Sequence, residues 1–184
     1  MKHLTLSLTI LFFCTTFSFA QTYFYKKGQS GLSLYTGTFL KNPDGIILGA
    51  DYTINGVFSL GFAKSGSTNN SNYSFDVNVA LGKIESEGRT ITFPLVAAYS
   101  IIGGTGVFAA GGGLAMRRQL NETTVLTPVF LMLLQNNSGT YSRNRKTIGL
   151  GFELNMMFHK FRVAPSVSIA EGKSVMALVG GFTF

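Results

Sequence analysis

Bulky and small residues alternate along much of this chain. From Ser174 to Phe184, SVMALVGGFTF, the side chains of Met176, Leu178, Phe182 and Phe184 fall on one face, and Ala177, Val179, Gly181 and Thr183 on the other. Thr147 to Phe158 repeats this more strongly. Ile148, Leu150, Phe152, Leu154, Met156 and Phe158 share a face, against Gly149, Gly151, Glu153 and Asn155. In Tyr73 to Ile84, Tyr73, Phe75, Val77, Val79 and Leu81 oppose Ser74, Asp76, Asn78, Ala80 and Gly82. In Gly45 to Ile54, Ile46, Leu48, Ala50, Tyr52 and Ile54 oppose Gly49, Asp51 and Thr53. Period 2 of this kind is the mark of a strand with two unlike faces.

Ten candidate strands follow, each bounded by turn residues. They run Gly31 to Leu40, Gly45 to Ile54, Val57 to Lys64, Tyr73 to Ile84, Thr90 to Ile101, Gly106 to Arg117, Thr124 to Leu134, Thr147 to Phe158, Phe161 to Ala170 and Ser174 to Phe184. The Gly- and Ala-rich sixth and the doubly apolar seventh are assigned mainly by spacing. Connections alternate in length. Asn55-Gly56 carries the type I′ hairpin signal, and His159-Lys160 is comparably short. Lys64 to Asn72 and Gln135 to Lys146 read as longer loops, rich in Asn, Ser and Gly.

Composition decides what the bulky face meets. The chain is 46% hydrophobic and 12% charged, about half the charge content of an ordinary soluble domain. No stretch approaches the ~18 apolar residues of a membrane-crossing helix, whereas a strand of about ten residues crosses at a tilt. A closed barrel is the sheet architecture that can lie in lipid with every backbone group bonded. The expected fold is therefore an all-β, up-and-down antiparallel transmembrane barrel of about ten strands, with eight as the alternative.

Residues 1 to 20 carry Lys2 and His3, an apolar run from Leu4 to Phe13, and a polar end in which Ser18 and Ala20 suit signal-peptidase cleavage. The expected organisation is a signal peptide over 1–20, a leader over 21–30 and the barrel domain over 31–184. The single cysteine, Cys14, falls in the signal segment. Its acylation as a lipoprotein is an alternative, weakened by bulky Phe13 just before it. The processed chain then has no disulfide or thiolate metal site.

The alternating last strand ending in aromatic Phe184 resembles the closing strand of small bacterial outer-membrane β-barrels. That resemblance is one of pattern over the whole processed chain, and only the signal segment and Phe184 are motif-like. It implies residence in the cell outer membrane with both termini periplasmic, short turns inside and longer loops outside. It also implies that Phe184 signals to the barrel-assembly machinery. Tyr52, Phe58, Phe93, Phe158, Phe161 and Phe184 fall near the inner turns, and Tyr73 and Tyr99 near outer ones, as interfacial girdles would. The absence of Trp departs from that pattern.

The small face, mainly Gly, Ala, Ser and Thr, would line a narrow interior. It would hold Asp51, Asp76 and Glu153 with Arg117 and Arg162, and the expectation is a polar network linking some of these five, because an isolated buried ion is strongly unfavourable. The alternative is that each is solvated at a barrel mouth. The net charge is +7, one less without Lys2, yet no basic and aromatic module for nucleic acid is present. Arg143, Arg145 and Lys146 form a basic cluster suited to lipopolysaccharide phosphates, or to simple solvation.

Catalysis finds little footing. His159 is the one histidine beyond the signal segment, and it lies in a tight turn with no Ser and carboxylate spacing around it. No metal or cofactor motif occurs. Gly103-Gly104 and Gly111-Gly112-Gly113 precede no helix, so they do not read as phosphate loops. The expectation is a monomeric, non-enzymatic barrel with a structural or surface-interaction role, partnered by outer-membrane lipids and lipopolysaccharide. A narrow pore for small solutes is the alternative, followed by a lipid-modifying enzyme and a secreted soluble ligand-binding barrel.

Overall fold

The computed structural model describes residues 25–67, 70–102, 105–139, 142–170 and 173–184. The expected signal segment, Cys14 and the first residues of the leader lie outside them. Ten antiparallel strands close into one barrel, each pairing with its neighbours in sequence and the first with the last. They are β1 Gly31–Phe39, β2 Asn42–Ile54, β3 Phe58–Ser67, β4 Asn70–Ser86, β5 Arg89–Ile102, β6 Thr105–Gln119, β7 Thr124–Gly139, β8 Ser142–Phe158, β9 Phe161–Ala170 and β10 Lys173–Thr183. Ten is thus the strand number, and the eight-stranded alternative falls. No helix long and apolar enough to cross a membrane occurs among the described residues.

The two segments expected as long loops are largely ladder. Ser65 pairs with Asn72 and Gly66 with Ser71, while Gln135 pairs with Thr147 and Asn136 with Lys146. Apolar alternation is absent from these stretches, but their backbone N–H and C=O groups still favour pairing. The asymmetry between the two ends is therefore one of hairpin height. β7 and β8 reach 16 and 17 residues, whereas β1, β3, β9 and β10 have 9–11; β4 also has 17, but its continuation beyond β3, to Ser86, pairs with β5 at the opposite end.

At the opposite end the turns are tight. Asn55 and Gly56 have φ of 53° and 60°, the type I′ geometry, and Glu87 and Gly88 repeat it with 38° and 76°. His159, φ 54°, turns β8 into β9. This is called the tight-turn end below.

Bulky side chains point outward. Phe75 is 53% exposed, Phe152 46% and Leu134 61%, and Leu154 lies half-buried on the same face. Tyr52, Phe93, Phe158, Phe161 and Phe184 lie exposed toward the tight-turn end, with Tyr73 and Tyr99 farther along. In the doubly apolar β7, register settles the faces. Val125, Val129, Leu131 and Leu133 are buried inside, and Phe130, Met132 and Leu134 stand outside. Gly111 and Gly113 face β7 so closely that a Cβ at either would strike a backbone carbonyl of that strand.

Candidate functional site

Apolar groups pack the interior in two buried clusters. One buried cluster joins Tyr35, Phe39, Ile47, Val175 and Val179 from β1, β2 and β10, together with alanines of β3, β9 and β10. A second joins Val96, Ala98, Ala115, Val129, Leu131 and Leu133 from β5 to β7. Inward polar groups farther from the tight turns bond to the wall or to each other: Asn72 to the Ser65 carbonyl, Ser166 to that of Ala177, and Thr147 to the Gln135 side chain. The charged interior residues share the level of the second cluster, Asp76 pairing with Ala98 and Glu153 with Val129, and gather in a polar chamber that this cluster bounds on the β5 to β7 side.

On one wall of the chamber Glu153 and Asn155 both face inward, two positions apart on β8. Arg162 meets them from the start of β9. Its Nη2 donates to Glu153 Oε1 at 3.2 Å and its Nε to Asn155 Oδ1 at 2.9 Å. Asn155 Nδ2 donates to the same Glu153 oxygen. Arg162 and Glu153 are nearly inaccessible, with side chains 2% and 10% exposed. A carboxylate, a guanidinium and an amide oriented by both make a closed, charge-compensated triad.

On the other wall Asp51 of β2, Gly61 of β3 and Asp76 of β4 lie in one register row. Gly61 leaves the space into which both carboxylates reach, and a Cβ there would strike Oδ1 of each. Asn78 Nδ2 donates to Asp76 Oδ2 at 3.2 Å. Neither oxygen of Asp51, nor Oδ1 of Asp76, has a hydrogen-bond partner, although Asp51 is only 2% exposed. Arg162 and Glu153 act on Asp51 through space across the chamber.

Four of the five charged residues expected inside thus share one chamber. Arg117 is buried as expected but lies closer to the mouth, in the field of Glu85. Sequence reasoning missed Asn155 and Asn78 as the triad's and the pair's amides, although both stand on the inward face two residues from a carboxylate. It also missed Lys83. Between Ala80 and Lys83 the β4–β5 register shifts, so that Leu81 and Gly82 together oppose one residue. This bulge turns Lys83 inward, and its Nζ donates to the Tyr25 carbonyl at 2.6 Å.

Tyr25 belongs to the leader. Its ring lies on Gly31, where a Cβ would collide with it, and it packs against the second apolar cluster. Burial pushes its hydroxyl pKa above the ordinary 10.0.

The remaining expected sites stand apart. Lys146 is exposed on β8, on the same tall hairpin as Arg143 and Arg145, whose side chains lie outside the described residues. Phe184 exposes its ring while its backbone bonds Leu32 in both directions. His159 sits at the tight-turn end with its N–H on the Thr123 carbonyl. Among the described residues no group of three or more His, Cys, Asp or Glu is placed to hold a metal ion. No protein-family model matches this chain, and comparison with curated protein sequences finds no match.

Proposed function

We propose that this chain is an integral outer-membrane β-barrel protein, non-enzymatic and non-conducting, with a structural or surface-interaction role. One observation carries the reading. The outside of the closed barrel is a continuous belt of Leu, Ile, Phe, Tyr and Met side chains, many of them 40–60% exposed, while Asp51, Asp76, Glu153 and Arg162 are inside. Such a patch far exceeds what a water-surrounded monomer carries, and it suits hydrocarbon. A filled interior speaks against the narrow pore, since Ile47, Ile102, Val107 and Val129 are each at most 2% exposed within it. A hydrophobic constriction of this kind dewets and blocks ions.

With the tight turns on the periplasmic side, the tall β7–β8 hairpin rises above the outer surface. A strand crosses hydrocarbon in about 9–11 residues, so the 17 residues of β8 leave a projecting segment that begins with Arg143, Arg145 and Lys146. These three are suited to lipopolysaccharide phosphates. Phe184, at the seam between β10 and β1, is the proposed mark for the assembly machinery.

The test is biochemical. The folded protein is expected to need detergent, to migrate faster unheated than boiled, and to give no conductance in planar bilayers. Detergent-independent monomers would point to the soluble barrel instead, and discrete conductance steps to the pore. Lipopolysaccharide copurification should drop when Arg143, Arg145 and Lys146 are replaced by Gln, and an unchanged yield removes that contact.

A further inference from the structure

Thr53 and Ser59 lie one residue from the ends of β2 and β3 at the tight-turn end, where an open barrel would leave them wet. Their exposures are 0% and 1%. Segment 25–30 crosses this mouth. Gly28 N–H donates to the Asn55 carbonyl at 2.9 Å, Asn55 N–H donates to Ser30 Oγ at 2.9 Å, and Lys26 N–H donates to Gln29 Oε1 at 3.0 Å. Gly56 clears the path, because a Cβ there would strike the Lys26 carbonyl. The Lys83 ammonium holds the Tyr25 carbonyl at 2.6 Å, and the Tyr25 ring reaches from Gly31 to the apolar wall of β5 to β7.

We infer that residues 25–30 form a strap that seals the tight-turn mouth of the polar chamber, wedged by Tyr25 and latched by Lys83. The barrel wall is built for it in three places. Gly31 and Gly56 make room where any side chain would collide, and the Leu81-Gly82 bulge exists at the cost of ladder bonds and aims Lys83 at the strap. Without the bulge, strand alternation would send that ammonium to the apolar outside. A polar recess of about 270 Å³, lined by Lys26, Glu85, Arg89 and Arg117 among others, remains beside the strap. Lifting the strap would therefore extend this recess inward toward Asp51, Asp76 and Glu153, while the buried cluster of Tyr35, Phe39, Ile47, Val175 and Val179 keeps the other end shut. The chamber is then a compartment with one door, open to one side of the barrel only.

The test uses the cysteine-free processed chain. A cysteine at Ser59 (Ser59→Cys), inside the chamber, is treated with a small charged methanethiosulfonate in detergent, beside a control at Thr123 (Thr123→Cys), exposed in the β6–β7 turn and outside the recess. With the strap intact the Ser59 position should react at least tenfold more slowly than the control. Adding Lys83→Met, or separately Tyr25→Ala, should raise its rate at least tenfold and leave the control unchanged. Equal rates at Ser59 with and without the latch overturn the inference. Should a substituted barrel fail to fold, amide exchange in the unsubstituted protein decides. The Gly28 and Asn55 amides are protected if the strap is docked, and exchange as fast as free peptide if it is not. Neither readout depends on whether the barrel conducts or resides in an outer membrane.

Discussion

Glu153 and Asp51 occupy the same chamber at comparable burial, but their surroundings differ in kind. Glu153 has a guanidinium and an amide on one oxygen, whereas Asp51 looks across the gap left by Gly61 at a second carboxylate. The first arrangement is compensated within the barrel wall. The second holds two carboxyl groups together, with one amide, Asn78, on Asp76 alone. Burial alone therefore does not say whether an interior charge supports the fold. Its partners do.

The largest expected effect is from Arg162→Met. It strands Glu153 without its cation and should cost about 3–5 kcal/mol, read from urea unfolding in detergent or lipid. The Glu153→Leu, Arg162→Met double variant should cost less than Arg162→Met alone, and equal losses would show that the pair is not coupled. Next is Glu153→Gln, which replaces charged hydrogen bonds by neutral ones and should destabilise by about 1.5–3 kcal/mol. The same exchange on the facing wall, Asp76→Asn, should have the opposite sign. It keeps an acceptor for Asn78 and removes a repulsion, and a gain on the order of 1 kcal/mol is expected. Loss of stability there would erase the contrast between the two walls.

The smallest effect concerns the strap and pH. Tyr25 has a raised pKa in the folded protein because burial disfavours its phenolate, with Asp51 and Arg162 in its field and Lys83 on its carbonyl. Its contribution is fully present below about pH 10, where the unfolded tyrosine titrates, and fades as pH rises through the higher folded value. Reactivity at Ser59→Cys should thus increase above pH 10, and a Tyr25→Phe background should remove that increase.

The barrel itself was legible wherever one strand face was apolar. In β4 and β8, alternation assigned both strand and inward face, and Asp76 and Glu153 could be placed inside on that basis. It failed where chemistry was uniform. The polar ends of β3, β4, β7 and β8 carry no alternating signal, so they read as loops although they pair. Lys83 was hidden by a register shift whose only local hint is Gly82, because a bulge reverses every face assignment after it. The strap was hidden for a different reason. Tyr25 and Lys83 are 58 residues apart, and nothing in either neighbourhood announces the other.

The ring is fastened where its oldest and youngest segments meet. Ser33 touches Thr183, 150 positions along the chain, and Leu32 exchanges two backbone bonds with Phe184. A partly synthesised chain, however many hairpins it has made, still carries two raw borders able to recruit other strands. Closure of the barrel must therefore wait for β10 to be delivered and zipped to β1. Trimming a few residues from that tail would trade a sealed cylinder for a sticky ribbon.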